Sequence, residues 1–186
     1  MSFTSVHIKM GSIGEEENQE RLLRTDLWQY GQRRDTSGPY ADNLDLDVLI
    51  VGAGFSGAYL LHEMRKQGYS TVLYDAGKGF GGTWRWNCYP GARVDSPVPI
   101  YELSIPEVYK DWTWSTNYPN WEELQKYFDH VDKTLELSKD SAFETVVTSA
   151  EFDEKEGKWT VKTQDGRTAK ARFLIVAAGF AAKRCE

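Results

Sequence analysis

The chain has 186 residues, with 22 Lys or Arg against 28 Asp or Glu, so its formal net charge is −6. This acidic balance argues against non-specific nucleic-acid binding, which depends on basic patches. A chain of this length is expected to form about one domain of ~150 residues with a tail. Its longest nearly unbroken apolar run, residues 173–182, is about half of a ~20-residue membrane span, so no transmembrane helix is expected.

The N-terminal segment, residues 1–45, is polar and shows no sustained apolar period. Such a composition predicts a flexible, disordered arm, in which residues 18–30 could form one short helix. Because the segment lacks the apolar stretch of a secretory leader, the expected localisation is cytoplasmic. Two distant cysteines, Cys88 and Cys185, and three histidines supply neither a disulfide framework nor a zinc site, so no metal is expected.

Ordered structure is predicted to begin at Asp47 with a β-α-β unit. Val48–Val51 is a continuous apolar run of the kind found in buried parallel strands. A helix with apolar residues at helical spacing follows and ends at Gly68. Thr71–Tyr74 is then predicted as the second strand of the unit.

The middle of the chain is rich in Gly and Pro over residues 76–119, and five of the seven tryptophans lie between residues 84 and 121. An irregular stretch of this length is typical of a functional excursion from the fold. Residues 121–137 have the apolar spacing of an amphipathic helix. Asn120 and Glu123 resemble the capping box of that helix.

The last part of the chain predicts a β-meander. Candidate strands are residues 145–152 and 158–163, and residues 169–171 lead into Phe173–Val176, a second buried-strand run. Asp165-Gly166 is a tight-turn signal between them. Together with the β-α-β unit, these elements predict an α/β fold: a Rossmann-like domain over residues 46–186 with a parallel sheet and a β-meander.

A glycine motif at residues 52–57 reads Gly-Ala-Gly-Phe-Ser-Gly, between the predicted strand and helix. In a dinucleotide-binding fold, Gly52 permits the tight turn, Gly54 lets the backbone approach a pyrophosphate, and Gly57 lets the helix pack on the sheet. The helix N-terminus adds free N–H groups and partial positive charge. Asp75, after the second strand, could accept hydrogen bonds from a ribose hydroxyl, and its charge disfavours a 2′-phosphate. The spacing alone leaves FAD and NAD open as the ligand.

A tryptophan-rich string at residues 81–95 reads GGTWRWNCYPGARVD. It resembles the G-G-T-W-x-x-N-x-Y-P-G-x-R-x-D stretch that follows the first β-α-β unit of FAD-dependent Baeyer–Villiger monooxygenases, within the flavin-containing monooxygenase superfamily. The pattern Phe143-x-Thr-x-Val147 and the sequence Ala177-Ala178-Gly179 also resemble this family. The resemblance covers residues ~46–184. The N-terminal arm and the sequence around residues 85–105 are most similar to fungal members of secondary metabolism.

The resemblance implies an FAD-binding domain, with NADP(H) as the second cofactor of full-length members. The glycine motif would hold the pyrophosphate and Asp75 the adenosine ribose, while Asp95 would be the catalytic residue beside the flavin ring and the nicotinamide. Thr83 to Trp86 would line the flavin, and the Val147 backbone would meet the adenine. The implied cofactor-binding residues are Gly52, Gly54, Phe55, Ser56, Gly57, Asp75, Thr83, Trp84, Arg85, Trp86, Arg93, Val94, Asp95, Tyr101 and Val147.

Structural roles compete with several of these assignments. Trp84 and Trp86 could be core aromatics, Tyr101 could be a packing residue, and Arg93 and Asp95 could form a structural ion pair. Cys88, which stands where many family members carry Arg, is expected to be an inert thiol, because a cysteine among apolar residues usually is.

The function implied by the resemblance is NADPH- and O₂-dependent insertion of oxygen into a small-molecule ketone, in fungal polyketide or terpenoid biosynthesis. Family members also carry the fingerprint F-x-G-x-x-x-H-x-x-x-W and a second dinucleotide motif for NADPH. No histidine follows His130, so the domain is expected to be truncated before the NADP domain. The chain alone is therefore expected to be poorly active, with a second chain as a candidate source of the missing half.

Two other functions remain open. One is a non-catalytic flavin-binding module, or a remnant of a longer flavoenzyme. The other is a small NAD-dependent dehydrogenase, against which the tryptophan-rich segment argues, because a nicotinamide site does not need it.

Overall fold

The computed structural model describes residues 7–9 and 38–180. Its elements in chain order are β1 His7–Lys9, β2 Leu44–Val51, α1 Phe55–Lys66, β3 Thr71–Tyr74, α2 Thr83–Trp86, α3 Pro106–Tyr109, α4 Trp121–Leu135, a 3₁₀ turn Leu137–Asp140, β4 Ser141–Ala142, β5 Val147–Asp153, β6 Lys158–Thr163 and β7 Thr168–Val176. The strands form one sheet in the order β1-β5-β6-β7-β2-β3-β4. None of the described helices is long and apolar enough to cross a membrane.

One half of the sheet is parallel and contains β7, β2, β3 and β4. Val51 is the partner of Tyr74 on one side and of Val176 on the other, so three strands end at the same edge. The α1 helix joins β2 to β3 and packs against both. In open parallel sheets, ligands bind at this edge, outside the carboxyl ends of the strands.

The other half is the predicted β-meander, in which β5 pairs with β6 and β6 with β7 in antiparallel register. Side chains from β2 and β3 enter two separate cores. Ile50 and Leu73 pack with α1 and α4, whereas Leu49 and Tyr74 pack with the meander residue Val161 and its neighbours. Burying a large apolar side chain contributes about 1.5–3 kcal/mol, so both cores hold the strand ends in place. The α/β fold with its parallel sheet and meander is therefore confirmed.

The long helix α4 packs through the predicted apolar face, with its buried residues at Leu124, Tyr127, Phe128, Val131 and Leu135. The Asn120 side chain caps the helix by accepting a hydrogen bond from the Glu123 N–H at 3.0 Å. The reciprocal half of the predicted capping box does not form. The Glu123 carboxylate instead accepts the Ser115 N–H at 2.7 Å. The helix ends at Leu135, before a left-handed residue at Glu136 with φ +51°.

Three sequence expectations need correction. The arm predicted over residues 1–45 contains β1 and the start of β2 at Leu44, so order begins before Asp47; the helix expected at residues 18–30 lies outside the described residues. The strand expected to begin at residue 145 begins at Val147. The run from Phe173 to Val176 is not fully buried, because Phe173 is 43% and Val176 50% exposed. Phe173 borders an open groove, together with Val48 of β2 and Met64 of α1.

Candidate functional site

The glycine motif forms the turn between β2 and α1. Gly52 has φ +114°, which favours glycine, and its N–H donates to the Tyr74 carbonyl at 2.8 Å. Gly54 is the N-cap of α1, with no side-chain cap and no acidic residue in the first turn. The first N–H groups of a helix have no intrahelical acceptor. The start of α1, where the Ser56 side chain is exposed, is therefore suited to an anion.

Close backbone contacts explain why this turn needs glycine. A Cβ at Gly57 would lie 1.8 Å from the Gly52 carbonyl oxygen. A Cβ at Gly52 would lie 2.4 Å from the Ala177 carbonyl oxygen, just after β7. The glycine motif and the Ala-Ala-Gly sequence, which are far apart in the chain, thus meet at the carboxyl edge of the sheet.

A second glycine pair completes the cradle. The Gly81 N–H donates to the Ala53 carbonyl at 2.9 Å. A Cβ at Gly82 would lie 2.8 Å from the Gly54 Cα. The two loops therefore approach each other backbone to backbone, and side chains are excluded from the space between them. We call Gly52–Gly57 together with Gly81 and Gly82 the glycine cradle.

Residues 77–82 also read G-x-G-x-x-G, but they do not form a second nucleotide turn. The helix after them, α2, has one turn only. The Arg85 guanidinium covers the loop, donating from Nη2 to the Phe80 carbonyl at 2.7 Å and from Nε at 3.2 Å. A Cβ at Gly79 would meet Arg85 Nη2 at 3.0 Å. Arg85, predicted to contact the flavin, thus directs its charge onto the backbone of this loop.

Asp75 connects the two loops of the cradle. Its Oδ2 accepts the Ala53 N–H at 2.7 Å and its Oδ1 the Gly77 N–H at 2.6 Å. Burial raises the pKa of Asp75 above its ordinary value, whereas these two hydrogen bonds and the positive charge of Arg85 act in the opposite direction. Each carboxylate oxygen has a second lone pair, so the geometry leaves room for the predicted ribose contact.

The two tryptophans that are predicted to line the flavin, Trp84 and Trp86, differ in their exposure to solvent. Trp84 is 8% exposed, and its indole N–H donates to the Tyr101 hydroxyl at 3.0 Å. Trp86 is 47% exposed. The ring of Phe55, at the start of α1, lies edge-on to Tyr101 at 5.0 Å between centroids. Trp84, Tyr101 and Phe55 therefore pack into the core below the cradle, while Thr83 begins α2 directly after Gly82.

The segment with Arg93, Val94 and Asp95 is fixed through its backbone. The Val94 N–H donates to the Pro119 carbonyl at 3.2 Å, and Arg93 pairs with Asn120 in an isolated antiparallel bridge. Val94 is buried, whereas Arg93 and Asp95 are exposed. Arg93 donates to the Tyr118 carbonyl at 3.4 Å and Asp95 accepts from the Ser96 hydroxyl at 3.3 Å; they form no ion pair with each other.

Two side chains that sequence reasoning missed hold the stretch before β5. The Tyr40 hydroxyl accepts the Phe143 N–H at 3.0 Å. Arg167 Nη2 donates to the Thr145 hydroxyl at 2.9 Å. Tyr40 lies in the segment predicted as a flexible arm, and Arg167 follows a tight turn. No sequence motif marks either position as a partner of the stretch before β5. Val147, predicted to meet the adenine, is itself 4% exposed and packs in the meander core.

The part of the chain that the structure describes holds no group of three or more His, Cys, Asp or Glu side chains able to bind a metal ion. Cys88 is an exposed free thiol. Its Sγ lies 3.3 Å from Gln125 Nε2, and the same Nε2 donates to the Trp84 carbonyl at 2.9 Å.

Comparisons with known proteins agree with this geometry. Residues 50–128 match the NAD(P)-binding Rossmann-like domain family. The chain is 61% identical over 162 residues to the FAD-binding monooxygenase acrE of Aspergillus aculeatus, covering 87% of this chain and 27% of that protein. It is 50% identical over 140 residues to cyclopentanone 1,2-monooxygenase of Comamonas sp., covering 75% and 26%.

A solved structure of an oxidised steroid monooxygenase bound to NADP matches with a TM-score of 0.71 and 44% identity, covering 73% of this chain and 26% of that one. The chain thus spans about a quarter of the length of the curated relatives it matches.

Proposed function

Since the chain belongs to the FAD-binding monooxygenases of the Baeyer–Villiger type, we propose that it forms the FAD-binding part of such an enzyme. The observation that carries this proposal is the glycine cradle, in which Gly54 and Gly82 meet at the uncapped start of α1. A pyrophosphate is negatively charged and is therefore attracted to the start of a helix. It also needs close approach to backbone N–H groups, which the absence of Cβ atoms permits.

The fit of FAD to these residues is supported by charge as well as shape. The first turn of α1 has no acidic side chain of its own. The Asp75 carboxylate binds the Ala53 N–H, before the helix, and does not occupy the first N–H groups of the helix, which have no intrahelical acceptor. Favourable contacts between an anion and a helix N-terminus contribute about 0.3–1 kcal/mol each. Gly52, Gly54 and Gly57, with the N–H groups of Phe55 and Ser56, would hold the pyrophosphate, and Asp75 would bind the adenosine ribose.

The flavin end of the cofactor would lie toward the tryptophan-rich segment. Thr83 to Trp86 would border the ring, with the exposed Trp86 as its apolar wall and Tyr101 behind Trp84. The exposed pair Arg93 and Asp95 would face the reacting groups, with Asp95 in the catalytic position and Val94 as their buried anchor. Bound FAD would supply the redox and oxygen chemistry that protein side chains lack.

For the whole enzyme, we propose NADPH- and O₂-dependent oxygen insertion into a small-molecule ketone. The support comes from the relative named cyclopentanone 1,2-monooxygenase and from the NADP-bound steroid monooxygenase. The fungal relative acrE is consistent with a fungal biosynthetic setting. Because the 186 residues span only about a quarter of the length of these relatives, we propose that this part by itself binds FAD without appreciable turnover.

The test is an absorption spectrum of the purified chain after incubation with FAD and removal of free FAD. Bands near ~370 and ~450 nm, characteristic of oxidised flavin, should be retained after the free FAD is removed. Gly82→Ala should abolish retention, because its Cβ would meet the Gly54 Cα at 2.8 Å. Gly38→Ala is the matched control, since Gly38 also has positive φ but nothing lies within 4 Å of its Cβ position. Wild-type protein that stays colourless contradicts the proposal.

A further inference from the structure

The stretch from Phe143 to Val146, between β4 and β5, is irregular, and its backbone is bonded to the loop that begins at Asp75. Its Glu144 N–H donates to the Gly77 carbonyl at 2.8 Å, and its Thr145 N–H donates to the Asp75 carbonyl at 2.9 Å. Both acceptors lie in the loop that Asp75 ties to the glycine motif. We call residues 143–146 the support segment, because its position is set by the same loop that would face the adenosine.

The opposite side of the support segment is held by two side chains from distant parts of the chain. The Tyr40 hydroxyl accepts the Phe143 N–H at 3.0 Å. Arg167 Nη2 donates to the Thr145 hydroxyl at 2.9 Å. The segment is therefore clamped between the Asp75 loop on one side and these two residues on the other.

Arg167 is itself oriented by its neighbours. Its Nε and Nη2 donate to Asp165 Oδ2 at 2.8 and 2.6 Å. Its guanidinium carbon lies 5.6 Å from the Tyr40 ring centroid and 6.0 Å from that of Tyr74. A guanidinium fork can bind the carboxylate and the hydroxyl together while contacting aromatic rings, which a lysine ammonium cannot reproduce.

We propose that Arg167 and Tyr40 are positioning residues for the adenosine half of the cofactor. They act through the support segment, and neither needs to touch the cofactor. Without them, the Phe143 N–H and the Thr145 hydroxyl lose their partners, and the segment is held only by the bonds from the Glu144 and Thr145 N–H groups to the Asp75 loop. This inference rests on the proposed FAD site.

The test uses Arg167→Lys, which keeps the charge but loses the fork, and Tyr40→Phe, which keeps the ring but loses the hydroxyl. Arg172→Lys on β7 and Tyr109→Phe on α3 are the matched controls. In the full chain, binding of ADP, which carries adenosine and pyrophosphate alone, is measured by calorimetry. Loss of one positioning hydrogen bond should weaken ADP binding about fivefold in each test variant and leave the controls within about twofold.

Amide hydrogen exchange of the ligand-free proteins separates positioning from general destabilisation. Exchange at Glu144 and Thr145 should become faster in both test variants. Exchange at Ala58, whose N–H donates to the Gly54 carbonyl at 2.9 Å, should not change. Equal acceleration at all three amides, or unchanged ADP affinity, overturns the inference. A wild-type chain that binds neither FAD nor ADP overturns the proposed function and this inference with it, whereas wild-type binding with unaltered variants overturns the inference alone.

Discussion

The Asp75 carboxylate binds the Ala53 N–H at 2.7 Å, which connects the end of β3 to the turn after β2. Its second oxygen accepts the Gly77 N–H at 2.6 Å. An acidic residue expected to recognise a ribose therefore also holds together the two loops of the glycine cradle. This double role makes the geometry of the cradle depend on one side chain.

Asp75→Ala should destabilise the protein, because the Ala53 and Gly77 N–H groups would lose their acceptors. Leaving a buried donor unpaired costs about 1–3 kcal/mol. Urea unfolding should show a loss of this size, together with weaker FAD retention. Asp111→Ala removes an exposed aspartate and is the control that should stay close to wild type. An Asp75→Ala protein of unchanged stability and FAD affinity contradicts the linking role.

Asp165 should make the stability of the fold sensitive to acid. Hydrogen bonds from Arg167 and Thr163 hold the pKa of Asp165 below its ordinary value. A carboxylate with a depressed pKa in the folded state contributes stability above its unfolded pKa of ~3.9 and loses it as the pH falls through the folded pKa. Thermal unfolding followed from neutral pH into acid should therefore show a smaller acid loss for Asp165→Asn than for wild type. Coinciding profiles would refute this.

Asn120→Ala should destabilise α4 by about 1 kcal/mol, the usual effect of losing an N-cap side chain. The Glu123 N–H, now bonded to Asn120 Oδ1 at 3.0 Å, would lose its acceptor. Chemical denaturation gives the free energy of unfolding directly. Asn117→Ala, at an exposed asparagine just before the helix, serves as the control. If both variants lose the same free energy of unfolding, the Asn120 side chain does not stabilise α4 as an N-cap.

Tyr101→Phe should cost about 0.5–1.5 kcal/mol of stability, because the buried indole N–H of Trp84 would lose the hydroxyl that it now reaches at 3.0 Å. The edge-on contact with Phe55 would remain, so the fold should persist. Denaturant titration measures the loss, and Tyr118→Phe, at an exposed tyrosine, provides the comparison. FAD retention should fall only if the position of Trp84 matters for the flavin.

Local patterns allowed several elements to be predicted closely. The apolar run at Val48–Val51, the turn at residues 52–57 and the strand Thr71–Tyr74 are fixed by neighbours in sequence, and the structure reproduces them. Asn120 was also found correctly, because capping is a local interaction. Glu123 was predicted to complete the cap, but Ser115, from an adjoining loop, takes its carboxylate.

Positions that depend on distant contacts were not predictable in this way. Phe173 has the apolar neighbours of a buried strand, yet it is 43% exposed because α1 covers β2 and β3 but not this part of β7. Tyr40 belongs to a polar segment, and only folding brings its hydroxyl to Phe143.

By itself, the sequence determined the type of turn, the glycine spacing and the family. The steric requirements of a backbone turn are local, so they are visible in consecutive residues, and a long string of rare residues identifies a family without knowledge of the fold. Only the tertiary structure decided that Gly54 meets Gly82, that Asp75 joins their loops, and that Arg85 lies over the second glycine loop. The physical reason is that these contacts cross between chain segments, and their distances arise from how the sheet, α1 and α4 pack together.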